Sequence, residues 1–178
     1  MGWKNKYNIE FKGLKEGIHD YEFEVNDSFF EHFNEGLVET GEVKVKVQLE
    51  KRSAFLKLQI SLSGWLELVC DRCLEDYKQE VELETELFVK FGEEQEYDEG
   101  DNVIWVLPEE HVINLTHVIY EYIALSIPLK QAHPNESGEN SCSKEMLEKL
   151  DNYSFHEEEK KEDEIDPRWT ALKNLKRP

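Results

Sequence analysis

A chain of 178 residues with 39% hydrophobic side chains has room for one ordinary domain with its own core, plus a stretch that is not packed into it. Its 40 acidic and 21 basic side chains leave a net charge of −19, a field that repels a phosphate backbone. Direct, sequence-independent RNA binding is therefore disfavoured unless a local basic patch escapes the average, and a basic protein partner suits the charge better.

No run approaches the roughly 20 apolar residues of a membrane-spanning helix. Residues 1–6 lack the apolar run of a secretory signal, so the expectation is a cytoplasmic protein without membrane attachment.

The first half of the chain alternates as strands do. Tyr7, Ile9 and Phe11 oppose Asn8, Glu10 and Lys12, residues 13–17 carry turn chemistry, and Tyr21, Phe23 and Val25 resume the alternation, which predicts an N-terminal hairpin. Asp27 or Ser28 can cap a short helical turn bearing Phe29, Phe30 and Phe33. Val43, Val45, Val47 and Leu49 then share one face, with Lys44, Lys46 and Gln48 on the other. After a turn at residues 50–53, Leu56, Leu58, Ile60 and Leu62 repeat the pattern. Gly64 interrupts this run and is expected to mark a bulge or bend. Val81, Leu83, Thr85, Leu87 and Val89 form a further alternating stretch, and residues 103–107 suggest a short strand. Strands so close in sequence pair antiparallel with one face wet.

From Asn114 the period changes. Leu115, Val118, Ile119, Tyr122, Ile123 and Ser126 recur at helical spacing, and Pro128 disfavours helix at Ile127. Residues 134–165 are rich in Glu, Asn, Ser and Lys, too poor in apolar side chains to offset about 1–2 kcal/mol of backbone entropy per residue. Within them only Met146, Leu147 and Leu150 suggest a transient helix. At the end, Asp166 can cap a helix whose first position suits Pro167, with Trp169, Leu172 and Leu175 on one face.

The fold predicted is α+β: a mostly antiparallel β-sheet or partly open barrel covered by one main helix, with a disordered acidic C-terminal segment. Its divisions are a β-rich domain over 1–133, a disordered acidic segment over 134–165 and a short docking helix over 166–178.

One compact constellation carries reactive groups, Cys70-Asp71-Arg72-Cys73, and three readings of it compete. As half of a structural zinc site, the turn would present two thiolates, with His133 and Cys142 completing a tetrahedral set of three sulfurs and one nitrogen. As a dithiol redox centre, it lacks the following helix that lowers a thiol pKa, and Asp71, Glu75 and Asp76 oppose thiolate formation. Or it is a turn with free thiols and no metal. The remaining histidines, His19, His32, His111, His117 and His156, read as surface residues. No phosphate-binding loop, nucleophile elbow or paired acid and base is recognisable, so no enzyme is expected.

Three markers occur in order: Cys70-Asp71-Arg72-Cys73-Leu74, Ile127-Pro128-Leu129, and Asp166-Pro167-Arg168-Trp169-Thr170-Ala171-Leu172. From about Gly41 onward the chain resembles the YceD family of large ribosomal RNA subunit accumulation proteins. The resemblance implies a non-enzymatic role in accumulation of large-subunit ribosomal RNA, in bacteria or plastids. It also implies a link to a small basic ribosomal protein, whose gene often neighbours the family's. Many relatives carry further cysteines after the Pro-Leu pair, where this chain offers only His133 and Cys142. The expectation is an interaction protein supporting ribosome biogenesis. Its partner would be a basic ribosomal protein or a pre-large-subunit particle, with Asp166, Pro167, Arg168, Trp169 and Leu172 as contact residues and one structural zinc as the candidate cofactor.

Overall fold

The computed structural model describes residues 2–33, 36–92, 102–134 and 141–154. After a 3-10 turn at Trp3–Tyr7 the elements are β1 (Asn8–Glu10), β2 (Gly17–Val25), α1 (Asp27–Phe30), β3 (Gly41–Lys51), β4 (Phe55–Val69) and β5 (Asp76–Phe91). There follow β6 (Val103–Val106), β7 (Val112–Asn114), α2 (Thr116–Leu125) and α3 (Lys144–Tyr153). The main sheet is open, with strand order β2-β3-β4-β5-β6. Its first four strands pair antiparallel in chain order, and β6 joins the far edge parallel to β5.

Strict alternation becomes strict burial. Val43, Val45, Val47 and Leu49 on β3 and Leu56, Leu58, Ile60 and Leu62 on β4 all face the core. Each such side chain contributes about 1.5–3 kcal/mol when fully removed from water. Covering them are α1, through Phe29 and Phe30, and α2, through Ile119 and Ile123, in one continuous apolar cluster. Tyr7 joins this layer edge-on to Phe29, with ring centroids 5.0 Å apart.

Three expectations need correction. The N-terminal hairpin does not form: β1 pairs with β7, Ile9 opposite Ile113, as a separate two-stranded ribbon. The segment between β1 and β2 wraps the end of β3 instead, where the Lys51 ammonium donates to the carbonyls of Phe11 and Leu14. A pairing about a hundred residues apart leaves no local periodicity to read.

Gly64 is not a bulge either. β4 keeps continuous register through it, opposite Val43 on one side and Val81 on the other. A Cβ there would lie 2.1 Å from the Glu42 carbonyl oxygen, so close approach of β3 is what requires glycine. Finally, the expectation of one main helix is not confirmed: α2 has a companion of equal length, α3, ten residues, where Met146, Leu147 and Leu150 suggested a transient helix. The two helices differ in kind, since α2 buries Thr116, Ile119 and Ile123 while α3 buries nothing. The rest of the acidic segment lies largely outside the described residues.

Candidate metal centre

β4 ends at Val69 and β5 begins at Asp76, and the chain between them folds into a tight knuckle. The Cys70 N–H donates to the Glu75 carbonyl and the Leu74 N–H to the Cys70 carbonyl, at 3.0 and 2.9 Å. Closing so short a turn puts Leu74 in the left-handed region, φ 60°, which costs a leucine about 1–2 kcal/mol. The result is that both sulfurs point inward: Cys70 and Cys73 are buried.

The other half arrives from beyond α2. The N–H of Ser126 closes the helix onto the Tyr122 and Ile123 carbonyls, and the chain then runs back along the knuckle. There Asp71 and Gln131 pair reciprocally: the Asp71 N–H donates to the Gln131 carbonyl at 2.7 Å, and the Gln131 N–H to an Asp71 carboxylate oxygen at 2.9 Å. Arg72 donates to the His133 carbonyl at 3.3 Å. This places the His133 ring beside Tyr77, centroids 5.0 Å apart, and brings Cys142 in after it.

The four side chains named from the sequence, Cys70, Cys73, His133 and Cys142, therefore converge, all buried, with their ligand atoms within 4.8 Å of one another. Cys70 Sγ and Cys142 Sγ are 3.7 Å apart. His133 Nδ1 lies 3.5 Å from the sulfurs of both Cys73 and Cys142. Metal–sulfur bonds of about 2.3 Å and a metal–nitrogen bond of about 2.1 Å at tetrahedral angles put two sulfurs about 3.8 Å apart, and sulfur and nitrogen about 3.6 Å apart. The donor set and these spacings fit zinc. The cysteines are free thiols, so no disulfide accounts for their proximity.

Electrostatics point the same way. Burial pushes the Cys70 thiol up, but the backbone N–H groups of Cys73, Arg72 and His133, with the His133 ring, aim at its sulfur and bring it down to about 5. Cys142 moves oppositely, to about 11, first through burial and then through the adjoining Cys70 and Cys73 sulfurs. One thiolate thus holds its neighbour protonated, and a cation is what lets all the sulfurs ionise together. Arg72, inside the motif yet unremarkable in sequence, supplies a positive charge beside the site.

Sequence reasoning missed Tyr77 and the Asp71–Gln131 pairing, neither of which has a local signature. The predicted contact residues Asp166, Pro167, Arg168, Trp169 and Leu172 lie outside the described residues.

An open, mostly antiparallel sheet whose β4–β5 knuckle meets a later His and Cys defines a β-rich α+β protein with a candidate Cys3His centre. The family described as "Large ribosomal RNA subunit accumulation protein YceD" matches residues 58–176, which include all four candidate ligands, and the chain belongs to that family. It is also similar to the uncharacterized protein YlbN of Bacillus subtilis (strain 168), 27% identical over 134 residues that cover 75% of this chain and 73% of that protein. No solved structure matches.

Proposed function

We propose that this protein is a non-enzymatic cytoplasmic factor that supports accumulation of large-subunit ribosomal RNA by binding a basic ribosomal protein or a pre-large-subunit particle. The observation that carries this reading is family membership over residues 58–176. The charge of −19 supports a basic partner, because complementary fields speed encounter and suppress wrong partners.

So does the wet face of the sheet. Cross-strand register puts Asp20 and Glu22 of β2 at one side and Glu86 and Glu84 of β5 at the other. Between them a groove of about 730 Å³ is floored by Lys46, Gln48, Gln59 and Ser61, so that its lining carries four carboxylates against one ammonium. Phosphate is repelled from such a surface; lysine- and arginine-rich protein is drawn to it. The Asp166–Leu172 peptide is the second contact element in this reading. Among the described residues no helix is long and apolar enough to cross a membrane.

One structural zinc on Cys70, Cys73, His133 and Cys142 belongs to the same proposal. When bound, zinc supplies about 10–16 kcal/mol of apparent binding energy in small structural sites, comparable to the stability of a whole domain. The convergence of the four ligands supports it over a dithiol redox centre. Disulfide exchange needs an accessible thiolate, and Cys70 is 0% exposed and Cys73 3%.

Depleting the protein from cells and profiling ribosomes tests the main reading. The expected outcome is a fall in large-subunit relative to small-subunit ribosomal RNA, with tagged protein co-purifying with precursor large subunits. An unchanged profile together with no ribosomal partner in pull-downs overturns it.

A further inference from the structure

We infer that an ion at the Cys3His centre is the clasp joining the segment after α2 to the body, so that occupancy of the site decides whether residues 131–134 and 141–154 are attached. This rests on the zinc reading above and goes beyond it. A structural metal commonly holds a whole domain together, whereas here it would fasten one arm to a domain that has its own core.

The distribution of burial carries the inference. Among the described residues, the buried hydrophobic side chains run from Tyr7 to Ile123, of which Cys70, Cys73 and Tyr77 meet the arm's His133 or Cys142, and Cys142 is the single one beyond Ile123. Among the described residues the one buried polar residue beyond α2 is His133. The arm's two buried side chains, among those described, are therefore both candidate ligands.

Little else holds the arm. α3 has no buried residue, only Ala132, Met146 and Leu147 of the arm's described residues pack partly against the core, and Leu150 and Tyr153 face solvent. The polar attachments described are the Asp71–Gln131 pair, the Arg72 bond to the His133 carbonyl and the His133 N–H aimed at the Cys70 sulfur, with further interactions at Ser141 and Asp151. A helix of ten residues is too short to persist in water unless something anchors it. Cys142, two residues before α3 begins, is that anchor.

The body answers to different forces. β2 to β5 bury their inner face against α1 and α2 whether or not the knuckle holds an ion. The two cysteines of the knuckle sit at the tip of a hairpin already registered from Leu56 to Val69. Losing the ion should therefore release the arm and leave the sheet. Residues 155–178, Trp169 among them, continue from the arm at Ser154, so the clasp also sets the point from which that peptide extends.

The test is millisecond-to-minute hydrogen exchange on the full chain under reducing conditions, stripped with a chelator and then reloaded with one equivalent of Zn²⁺, with native mass spectrometry reporting ion content. Zinc should slow exchange of amides in residues 131–133 and 141–154 at least tenfold, and change those of β2, β3 and β4 by less than twofold. Trypsin cleavage after Lys144 and Lys149 should slow in parallel. Cys142→Ser should leave the arm exchanging at the metal-free rate with zinc present. Asp71→Ala, which removes the carboxylate half of the Asp71–Gln131 pair but no ligand, should leave the zinc-loaded arm protected.

A chain that takes up one zinc without any change in arm exchange overturns the clasp while leaving the metal reading intact. A sheet that loses protection together with the arm overturns it too, as does release of the arm by Asp71→Ala in the loaded protein. A chain that takes up no zinc removes both readings.

Discussion

The sheet and the knuckle-and-arm region are stabilised in opposite ways. β3, β4 and β5 hold together by apolar area, through side chains such as Leu49, Leu58 and Ile60 that are at most 2% exposed and whose neighbours lie a hairpin away. The knuckle and the arm hold together by four polar or polarisable groups separated by up to 72 residues, with scarcely any apolar area on the arm's side. The first arrangement degrades gradually as methylenes are removed. The second depends on a single event, because the Cys70 thiolate keeps the adjoining Cys142 protonated until a cation joins them.

The contrast breaks most sharply in the sheet. Leu58→Ala should cost about 2–5 kcal/mol, since β4 is flanked on both sides and the cavity cannot collapse. A urea denaturation followed by far-ultraviolet circular dichroism measures it, and a loss below about 1 kcal/mol would mean that the sheet's core is looser than its register implies. Gly64→Ala should cost about 1–3 kcal/mol or more by the same measurement, because the added methyl meets the backbone of β3 and not a movable side chain.

At the other region the effect moves from stability to affinity. Cys73→Ser should lower zinc affinity about a hundredfold or more, since loss of groups merely adjoining a metal ligand already costs 10–100-fold. The urea midpoint of the sheet should barely move. Competition against a chromophoric chelator reads the affinity, and a sheet that unfolds with the ligand would merge the two regions into one.

Acidity sharpens the comparison further. Cys142, pushed up to about 11, holds a proton at any pH below that, so zinc must displace it throughout the neutral range; Cys70, at about 5, gives up none until the pH falls to that region. Affinity should therefore fall as pH is lowered from 8 to 6, by roughly tenfold per unit for each proton displaced. A flat profile over that window argues against coordination by Cys142.

The smallest effect belongs to Leu74→Gly. It relieves a left-handed residue worth about 1–2 kcal/mol while adding about 0.5–1 kcal/mol of glycine entropy. The net gain should be about 1 kcal/mol or less, with little burial forfeited because Leu74 is 70% exposed. Differential scanning calorimetry resolves it, and a clear loss of stability would show that the leucine side chain is held by something beyond the knuckle.

Sequence by itself determined the strands of the sheet, because an alternating period marks every residue that one wet and one dry face require. Val43 to Leu49 and Leu56 to Leu62 could hardly be placed otherwise. It also determined the identities of the four candidate ligands, since a Cys-x-x-Cys turn leaves few partners of the right chemistry in so short a chain.

Tertiary structure alone decided the rest. Pairing of β1 with β7, the parallel addition of β6 and the role of Gly64 as a point of close approach all depend on groups distant in the chain, whose meeting leaves no period behind. The same holds for the site. Sequence supplied its residue types, but only the return of the chain past Asp71 and Arg72 brought the sulfurs and the imidazole within 4.8 Å of one another, because that approach is held by backbone and side-chain hydrogen bonds between residues about sixty positions apart.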